Sequence, residues 1–234
     1  MTIQENEGLI LSIETATTTC SVALYRGQQP LAEQNYRLEN SHSSLLPGVI
    51  EDILKWARVK SRDLDAIAVS SGPGSYTGLR IGLSTAKGLC FALGIPLISV
   101  STLDTMTETA KRWVPKNSLI CPMIDARRME VYTQLVVNGG EVLWEAKPLI
   151  IDESSFDDYL DQAIYLLGNG SGKCKGVCNH KNLHFIDGQE PRSLDMGMLA
   201  WQKFLNGDFE DLAYYEPNYL KEFQTKKPSN KLFT

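Results

Sequence analysis

An alternation of apolar strands and amphipathic helices, with a glycine-rich loop between them, most strongly constrains the fold of this chain. Residues 64–71 (LDAIAVSS) form an apolar run of strand length, and the loop 72–78 (GPGSYTG) follows directly. Helical periodicity continues to Gly94, and residues 97–100 (LISV) predict the next strand. Because two strands joined by a helix usually lie parallel in one sheet, this unit predicts an α/β fold.

Strand patterns also precede this unit. Residues 9–15 and 20–27 predict a hairpin, and a third strand is expected near 31–37. A helix is predicted from a cap at Ser43 through about Ala57, with its proline in the first turn.

The second half of the chain has a similar strand-rich pattern. Its predicted strands are 118–124, 130–137, 141–151 and 163–168. Helices are expected from Ser101 to about Trp113, near 154–163 and from about Ser193 to Asn206, and a polar loop is expected between 168 and 192. The aromatic segment 211–223 is predicted to pack back on one lobe.

The charge balance excludes a protein-wide attraction to nucleic acids. The chain has 23 basic and 28 acidic side chains, so its formal charge of −5 disfavours binding to phosphates over most of the surface. A local basic candidate lies at the C-terminus, where Lys221, Lys226, Lys227 and Lys231 occur close together. A solvated tail is the alternative for these lysines.

The start of the chain and its cysteines predict a cytoplasmic protein without membrane contact. The sequence MTIQENEG lacks the apolar run of a signal peptide, and no stretch approaches the roughly 18 apolar residues of a membrane span. The five cysteines are odd in number and irregularly spaced, which disfavours a disulfide scaffold. Cys174, Cys178 and His180 could supply three metal ligands, but their spacing fits no zinc pattern and favours a loop with free thiols.

Two acids and one loop are the candidates for chemistry. Glu14 and Asp125 each follow an apolar strand and precede a polar turn, so they could hold a metal or act as acid and base. The alternative is that each carboxylate accepts hydrogen bonds from turn amides. The segment Ser70 to Gly78 could form an anion nest, although it lacks the Walker lysine and also suits a tight structural turn.

Two stripes on the predicted helices could serve as core or as interface. Leu46, Ile50, Ile53 and Ala57 share one helical face. Gly78, Gly82 and Ala86 recur every four residues, a spacing that lets another helix approach closely, within this chain or from another.

Five segments together resemble the TsaB family of bacterial tRNA threonylcarbamoyladenosine biosynthesis proteins. They are IETATTTCSVAL, SHSSLLPGVIEDIL, DAIAVSSGPGSYTGLRIGLSTAKGL, GIPLISVSTLD and IDARRMEVY. The resemblance covers about residues 9 to 135, and GPGSYTGLRIG is its most specific element. EPNYLKEF resembles the closing segment of the family, whereas the likeness is thin from about 140 to 212.

The resemblance implies the two-lobed fold of actin, heat-shock protein 70 and the sugar kinases (the ASKHA fold). We therefore expect an N-terminal lobe over 1–112 and a more divergent lobe over 113–234, with a last helix that can pack back on the first lobe. In that superfamily the first hairpin cradles phosphates, and many relatives have Asp where this chain has Glu14. The implied residues of a vestigial phosphate site are Glu14, Thr15, Thr17, Thr18, Gly72, Gly74 and Ser75.

The resemblance also implies a scaffold subunit without catalytic or metal-binding residues. Its partners would be the paralogue TsaD, which transfers the threonylcarbamoyl group, and the ATPase TsaE. Thr102 and Met106 fall where TsaD carries its two metal-binding histidines. We expect a homodimer when the chain is alone, contact with tRNA through the complex, and ATP and magnesium only in the complex.

The same resemblance places the subunit contact on the helices that start near His42 and Thr77. The implied interface residues are His42, Leu46, Ile50, Ile53, Tyr76, Gly78, Leu79, Gly82, Leu83 and Ala86. On this placement, Ile50→Arg would leave the monomer folded and abolish pairing. The alternative function is an active ATPase or phosphotransferase that uses Glu14, Asp125 and the loop 72–78 around magnesium and ATP. A metalloprotease is disfavoured because its paired histidines are missing.

Overall fold

The computed structural model describes residues 8–37 and 42–221 of the chain. Its strands are β1 (Leu9–Glu14), β2 (Thr19–Arg26), β3 (Gln29–Arg37), β4 (Ala66–Gly72), β5 (Leu97–Ser101), β6 (Leu119–Asp125), β7 (Glu130–Val137), β8 (Val142–Ile150), β9 (Ile164–Leu167) and β10 (Leu183–Ile186). Its α-helices are α1 (His42–Ala57), α2 (Tyr76–Leu93), α3 (Thr102–Ala110) and α4 (Ser193–Asn206).

The first sheet has the strand order β3-β2-β1-β4-β5. β1 and β2 form the predicted antiparallel hairpin, whereas β4 and β5 run parallel to β1. The strand, loop and helix unit predicted over 64–100 is therefore confirmed. Ser75 caps α2 by accepting a hydrogen bond from the Gly78 amide, and Gly94 ends the helix in a left-handed conformation with φ of 67°.

The second sheet repeats the topology of the first. Its order is β10-β9-β6-β7-β8, with β6 antiparallel to β7 and parallel to β9. Glu14 at the end of β1 and Asp125 at the end of β6 therefore occupy equivalent places in the two sheets.

Four helices fill the two faces of the first sheet and the space between the sheets. The side chains of Leu11 and Ile13 pack with α1 and α2 on one face, and Ile10 and Ala68 pack with α4 on the other. α3 packs on the second sheet and contacts α4. α4 thus covers the first sheet, although it follows the second sheet in the chain. The lobe boundary expected at residue 112 stays a prediction.

Several local predictions were wrong. α1 begins at His42, so Ser43 lies inside the helix and is not its cap. The predicted helix over 154–163 is reduced to a 3-10 turn at Asp157–Tyr159. Asp152 starts a helix-like turn, since its carboxylate accepts the Ser154 amide. The turn does not continue, because Phe156 is buried against Trp144 with φ of −123° and ψ of 5°, outside the helical region.

The predicted polar loop also contains a strand, β10, and a 3-10 helix at Ser171–Gly176. β10 is only four residues long and is held by parallel pairing with β9, so its own sequence gives little strand signal. α3 ends at Ala110, three residues before the predicted end.

The aromatic segment 211–221 packs on the first lobe, as Leu212 and Tyr215 contact the core there. The Asn218 amide donates to the Ser71 carbonyl at 2.8 Å. Of the predicted basic tail, Lys221 is described, and Lys226, Lys227 and Lys231 lie outside the described residues.

The five cysteines are free, buried thiols. Burial raises the pKa of Cys20 and of Cys90 to about 11, so both stay protonated at neutral pH. No helix in the described ranges is long and apolar enough to cross a membrane.

Candidate functional site

The predicted phosphate loop and the first hairpin are in direct contact. The Ser75 amide donates to the Ala16 carbonyl at 2.7 Å. A Cβ atom placed on Gly74 would lie 2.4 Å from that same carbonyl oxygen, so only glycine allows the two backbones to approach this closely. The loop and the hairpin are therefore packed backbone against backbone at Gly74.

The small-residue stripe of α2 packs against the same hairpin. A Cβ atom on Gly78 would lie 2.1 Å from the Thr15 carbonyl oxygen, and one on Gly82 would lie 2.3 Å from Thr15 Oγ1. The close partner of Gly78 and Gly82 is thus a hairpin of this chain, and the predicted helix partner is wrong for these two residues. Ala86 lies in the core of the first lobe.

The Glu14 carboxyl group is completely buried at the end of β1. One oxygen accepts a hydrogen bond from the Ala16 amide at 2.6 Å, and the other has no partner among the described residues. Burial raises the pKa of Glu14 from 4.5 to about 7, with a smaller contribution from the Asp195 carboxylate. Burial thus disfavours the charged form of this carboxyl group when no cation lies beside it.

Two hydroxyl groups of the hairpin donate to a carboxylate of this chain. Thr17 Oγ1 donates to Glu190 Oε2 at 3.0 Å, and Thr19 Oγ1 donates to the same oxygen at 2.7 Å. Both threonines are buried, whereas Thr18 at the hairpin tip is exposed. Glu190 was not predicted, since it lies in the loop before α4 and no local pattern links it to the hairpin.

These contacts decide how well the hairpin fits a magnesium-bound nucleotide. Two of its hydroxyls are engaged by Glu190, burial disfavours the charged form of its acid, and Gly74 and Ser75 pack against its backbone. The residues at the first hairpin do not fit such a group.

Asp125, the equivalent acid in the second sheet, is also engaged by its own turn. Its carboxylate accepts the Arg127 amide at 2.5 Å and pairs with Lys173 Nζ at 2.7 Å. Glu14 accepts the amide two residues ahead in the same way. The alternative considered for both acids, hydrogen bonding to turn amides, therefore describes the structure.

The positions that correspond to metal-binding histidines carry no such chemistry. Thr102 and Met106 are buried in the first two turns of α3, and their side chains offer no imidazole. Among the described residues, no group of three or more His, Cys, Asp or Glu side chains is arranged to hold a metal ion.

Most predicted interface side chains lie in the core of the chain itself. Leu46, Ile50 and Ile53 pack inward from α1, and Leu79 and Leu83 are buried on α2. A partner cannot reach these side chains, so the alternative of core packing holds for them.

Two further predicted interface residues have partners within the chain. His42 is buried, and its Nε2 lies 3.2 Å from the Thr19 carbonyl oxygen, which ties the start of α1 to β2. Tyr76 is half-buried, with the ring of Tyr219 at 4.7 Å and the Arg80 guanidinium at 4.2 Å from its own ring centre.

The outward faces of the same two helices carry exposed aromatic residues. Trp56 on α1 is 76% exposed and Phe91 on α2 is 83% exposed. Each helix connects strands that run in the same direction, so α1 and α2 are parallel and both aromatics lie near their C-terminal ends. We call this surface the outer helical face; its residues are Gly48, Asp52 and Trp56 of α1 and Ser84, Gly88 and Phe91 of α2.

The outer helical face is open to solvent at its two glycines. A Cβ atom on Gly48 or on Gly88 would meet no atom within 4 Å. Apolar periodicity does not indicate this surface, because the periodic residues of α1 and α2 are the buried ones. The available signal was a large aromatic residue, Trp56, among the polar positions of an amphipathic helix.

Comparisons with known proteins bear on this site. A family model described as TsaD, tRNA N6-adenosine threonylcarbamoyltransferase, matches residues 29–161. The chain is 39% identical over 221 residues to the tRNA threonylcarbamoyladenosine biosynthesis protein TsaB of Bacillus subtilis, which covers 91% of this chain and 93% of that protein. It is 34% identical over 128 residues to the tRNA N6-adenosine threonylcarbamoyltransferase of Rhizobium johnstonii, which covers 55% of this chain and 34% of the transferase.

The solved structure of YeaZ from Pseudomonas aeruginosa superposes with a TM-score of 0.79 at 25% identity, covering 91% of this chain and 99% of that one. Together with the repeated strand order of the two sheets, this superposition confirms the expected two-lobed actin-like fold class.

Proposed function

This chain belongs to the TsaB family of tRNA threonylcarbamoyladenosine biosynthesis proteins, and from that premise we propose that it is a noncatalytic subunit that pairs with a TsaD-type paralogue. In this proposal a TsaE-type ATPase joins the pair, and tRNA is bound by the assembled complex in the cytoplasm. ATP and magnesium are bound only in that complex, and the isolated chain forms a homodimer through the same surface.

The exposure of Trp56 and Phe91 is the observation that carries this proposal. Large exposed aromatic residues are typical of interface centres, where they bury much area at low entropic cost. Both belong to neighbouring parallel helices, so one helix pair of a partner can cover them together. The outer helical face replaces the buried stripe as the proposed contact.

The closed first hairpin supports the noncatalytic part of the proposal. A phosphotransferase of this fold needs free donors for phosphate and a charged acid for magnesium. Here Thr17 and Thr19 donate to Glu190, and burial raises the pKa of Glu14 to about 7. The alternative of an active ATPase therefore has no observation in its favour at this site.

Light scattering after size exclusion tests the pairing. This chain, the TsaD-type protein of the same organism and their mixture would be compared, and we expect a mixed species. Trp56→Ser should weaken pairing about 30-fold or more, since a central aromatic contributes about 2 kcal/mol or more. Leu205→Ser is the matched control, because Leu205 is 65% exposed on α4 at the opposite face of the sheet.

ATP turnover by each sample separates the two functions. We expect none from this chain alone. Turnover by the isolated chain that Glu14→Gln abolishes would refute the noncatalytic role, and equal pairing by the Trp56→Ser and Leu205→Ser variants would refute the placement on the outer helical face.

A further inference from the structure

The turn between β6 and β7 holds two adjacent arginines in an unfavourable backbone conformation. Arg127 and Arg128 have φ angles of 69° and 48°. Glycine and asparagine are the residues usually found at positive φ angles, and other residues cost roughly 1–2 kcal/mol each there. The geometry of the turn thus gives no reason for arginine at either position, so the charges require another explanation.

Both arginine side chains are exposed and unpaired within the described ranges. Neither the Arg127 nor the Arg128 guanidinium makes a hydrogen bond or ion pair with any residue among 8–37 and 42–221. Their charges are therefore available to a ligand from outside the chain.

The carboxylates beside this turn are neutralised by lysines. Lys173 Nζ lies 2.7 Å from an Asp125 carboxylate oxygen and donates to the Glu130 carbonyl at 2.7 Å. Lys221 pairs with the Glu130 carboxylate. Two acids are thus matched by two lysines, and the charges of the two arginines remain in excess.

Lys173 and Lys221 both reach Glu130, the residue that follows the turn, so these charges lie at one end of the hairpin. In a chain with a formal charge of −5, the turn with Arg127, Arg128, Lys173 and Lys221 is a local positive surface, which we call the basic hairpin.

We infer that the basic hairpin binds the phosphodiester backbone of RNA, with Arg127 and Arg128 as the phosphate ligands. Guanidinium groups match phosphate oxygens with paired donors, and contacts to phosphate dominate protein binding to nucleic acids. RNA is chosen over an acidic protein because this inference rests on the proposed function, in which the complex acts on tRNA. Lys173 and Lys221 act as positioning residues that cancel the neighbouring carboxylates.

The test uses the complex of this chain with its TsaD-type partner and a fluorescently labelled, unmodified tRNA transcript, followed by anisotropy. The variant is Arg127→Asn with Arg128→Asn, since asparagine tolerates a positive φ and keeps the turn. Arg58→Asn is the matched control, because Arg58 is an exposed arginine with φ of 57° in the other lobe.

Counterion release sets the expected size of the effect. At 0.15 M salt each lost phosphate contact should weaken binding about 5-fold, so the double variant should bind about 30-fold more weakly. The slope of log K against log salt concentration should also become shallower by about 2. Arg58→Asn should change neither quantity.

Three results would overturn the inference: unchanged affinity and slope in the double variant, an equal fall in the Arg58→Asn control, or a loss of pairing with unchanged RNA affinity. The last would assign the hairpin to a protein partner. If the wild-type chain fails to pair at all, the proposed function fails. In that case the isolated chain is titrated with the same tRNA at low salt, which tests RNA binding by the basic hairpin without the partner. Weaker binding by the double variant than by the wild type supports the inference, and equal or absent binding refutes it.

Discussion

Replacing Gly82 or Gly88 of α2 by alanine should change the free energy of unfolding in opposite directions. A Cβ atom on Gly82 would lie 2.3 Å from Thr15 Oγ1, well inside contact distance, whereas one on Gly88 would meet nothing within 4 Å. Neither glycine has a positive φ, so alanine is compatible with the backbone at both positions.

The two substitutions share the same gain in helix propensity, about 1 kcal/mol. Gly88→Ala should therefore raise the free energy of unfolding by up to about 1 kcal/mol. At Gly82 the same gain is opposed by overpacking, which costs about 1–3 kcal/mol and requires the hairpin or the helix to shift. We expect Gly82→Ala to lower stability by up to about 2 kcal/mol.

Urea unfolding of the wild type and both variants measures this difference. A double variant isolates the contact: Thr15→Ala removes the clashing oxygen, which has no hydrogen-bond partner among the described residues, so it should relieve most of the cost of Gly82→Ala. Equal stabilisation by Gly82→Ala and Gly88→Ala, or a double variant whose effects simply add, would refute the close packing of α2 on the hairpin.

Three further predictions concern single side chains. Ile50→Arg should unfold the monomer, contrary to the expectation from sequence, because it buries an unpaired charge at a site that is 6% exposed. Trp56→Ser should leave the melting temperature nearly unchanged, and thermal unfolding followed by circular dichroism distinguishes the two variants. The raised pKa of Glu14 means that the folded state holds this proton more tightly than the unfolded state does. The free energy of unfolding should therefore fall by up to about 3 kcal/mol as pH rises from 4.5 to above 7. Urea titrations at several pH values measure this fall, and Glu14→Gln should remove it. Glu190→Ala should lower the free energy of unfolding by about 1–3 kcal/mol, measured by thermal unfolding, because two buried threonine hydroxyls lose their acceptor. Glu153→Ala is the exposed control, and an effect of Glu190→Ala as small as that of the control would contradict the contact.

Elements with strong periodicity and clear end signals could be predicted from the sequence. α2 has both, since Ser75 caps it and Gly94 ends it. β10 and the turn at Asp157–Tyr159 could not be predicted, because pairing with β9 stabilises the first and packing of Phe156 on Trp144 interrupts the second. In both cases the deciding contact comes from another strand of the sheet.

The family resemblance, and no local pattern, joins Glu14 and the loop 72–78 in one predicted site. In the structure the loop packs against the hairpin, where the Ser75 amide donates to the Ala16 carbonyl. The sequence could not indicate that Glu190 bonds to the hairpin, since that contact spans 171 to 173 residues. Likewise, an apolar stripe such as Leu46 to Ile53 is the same pattern whether a sheet or a partner covers it.

The comparison of the two lobes explains why the proposed partner surface lies on the first. Both sheets have the same strand order, but only the first lobe uses α-helices, α1 and α2, for its two connections to the parallel strands. The equivalent connections of the second lobe contain only 3-10 turns, at Asp157–Tyr159 and Ser171–Gly176. A surface built from two parallel helices therefore exists on one lobe alone. The inner side of α2 packs on the first hairpin through Gly78 and Gly82, and this packing fixes the position of the helix. A partner that docks on the outer side of α2 would therefore contact a helix that is already held in place.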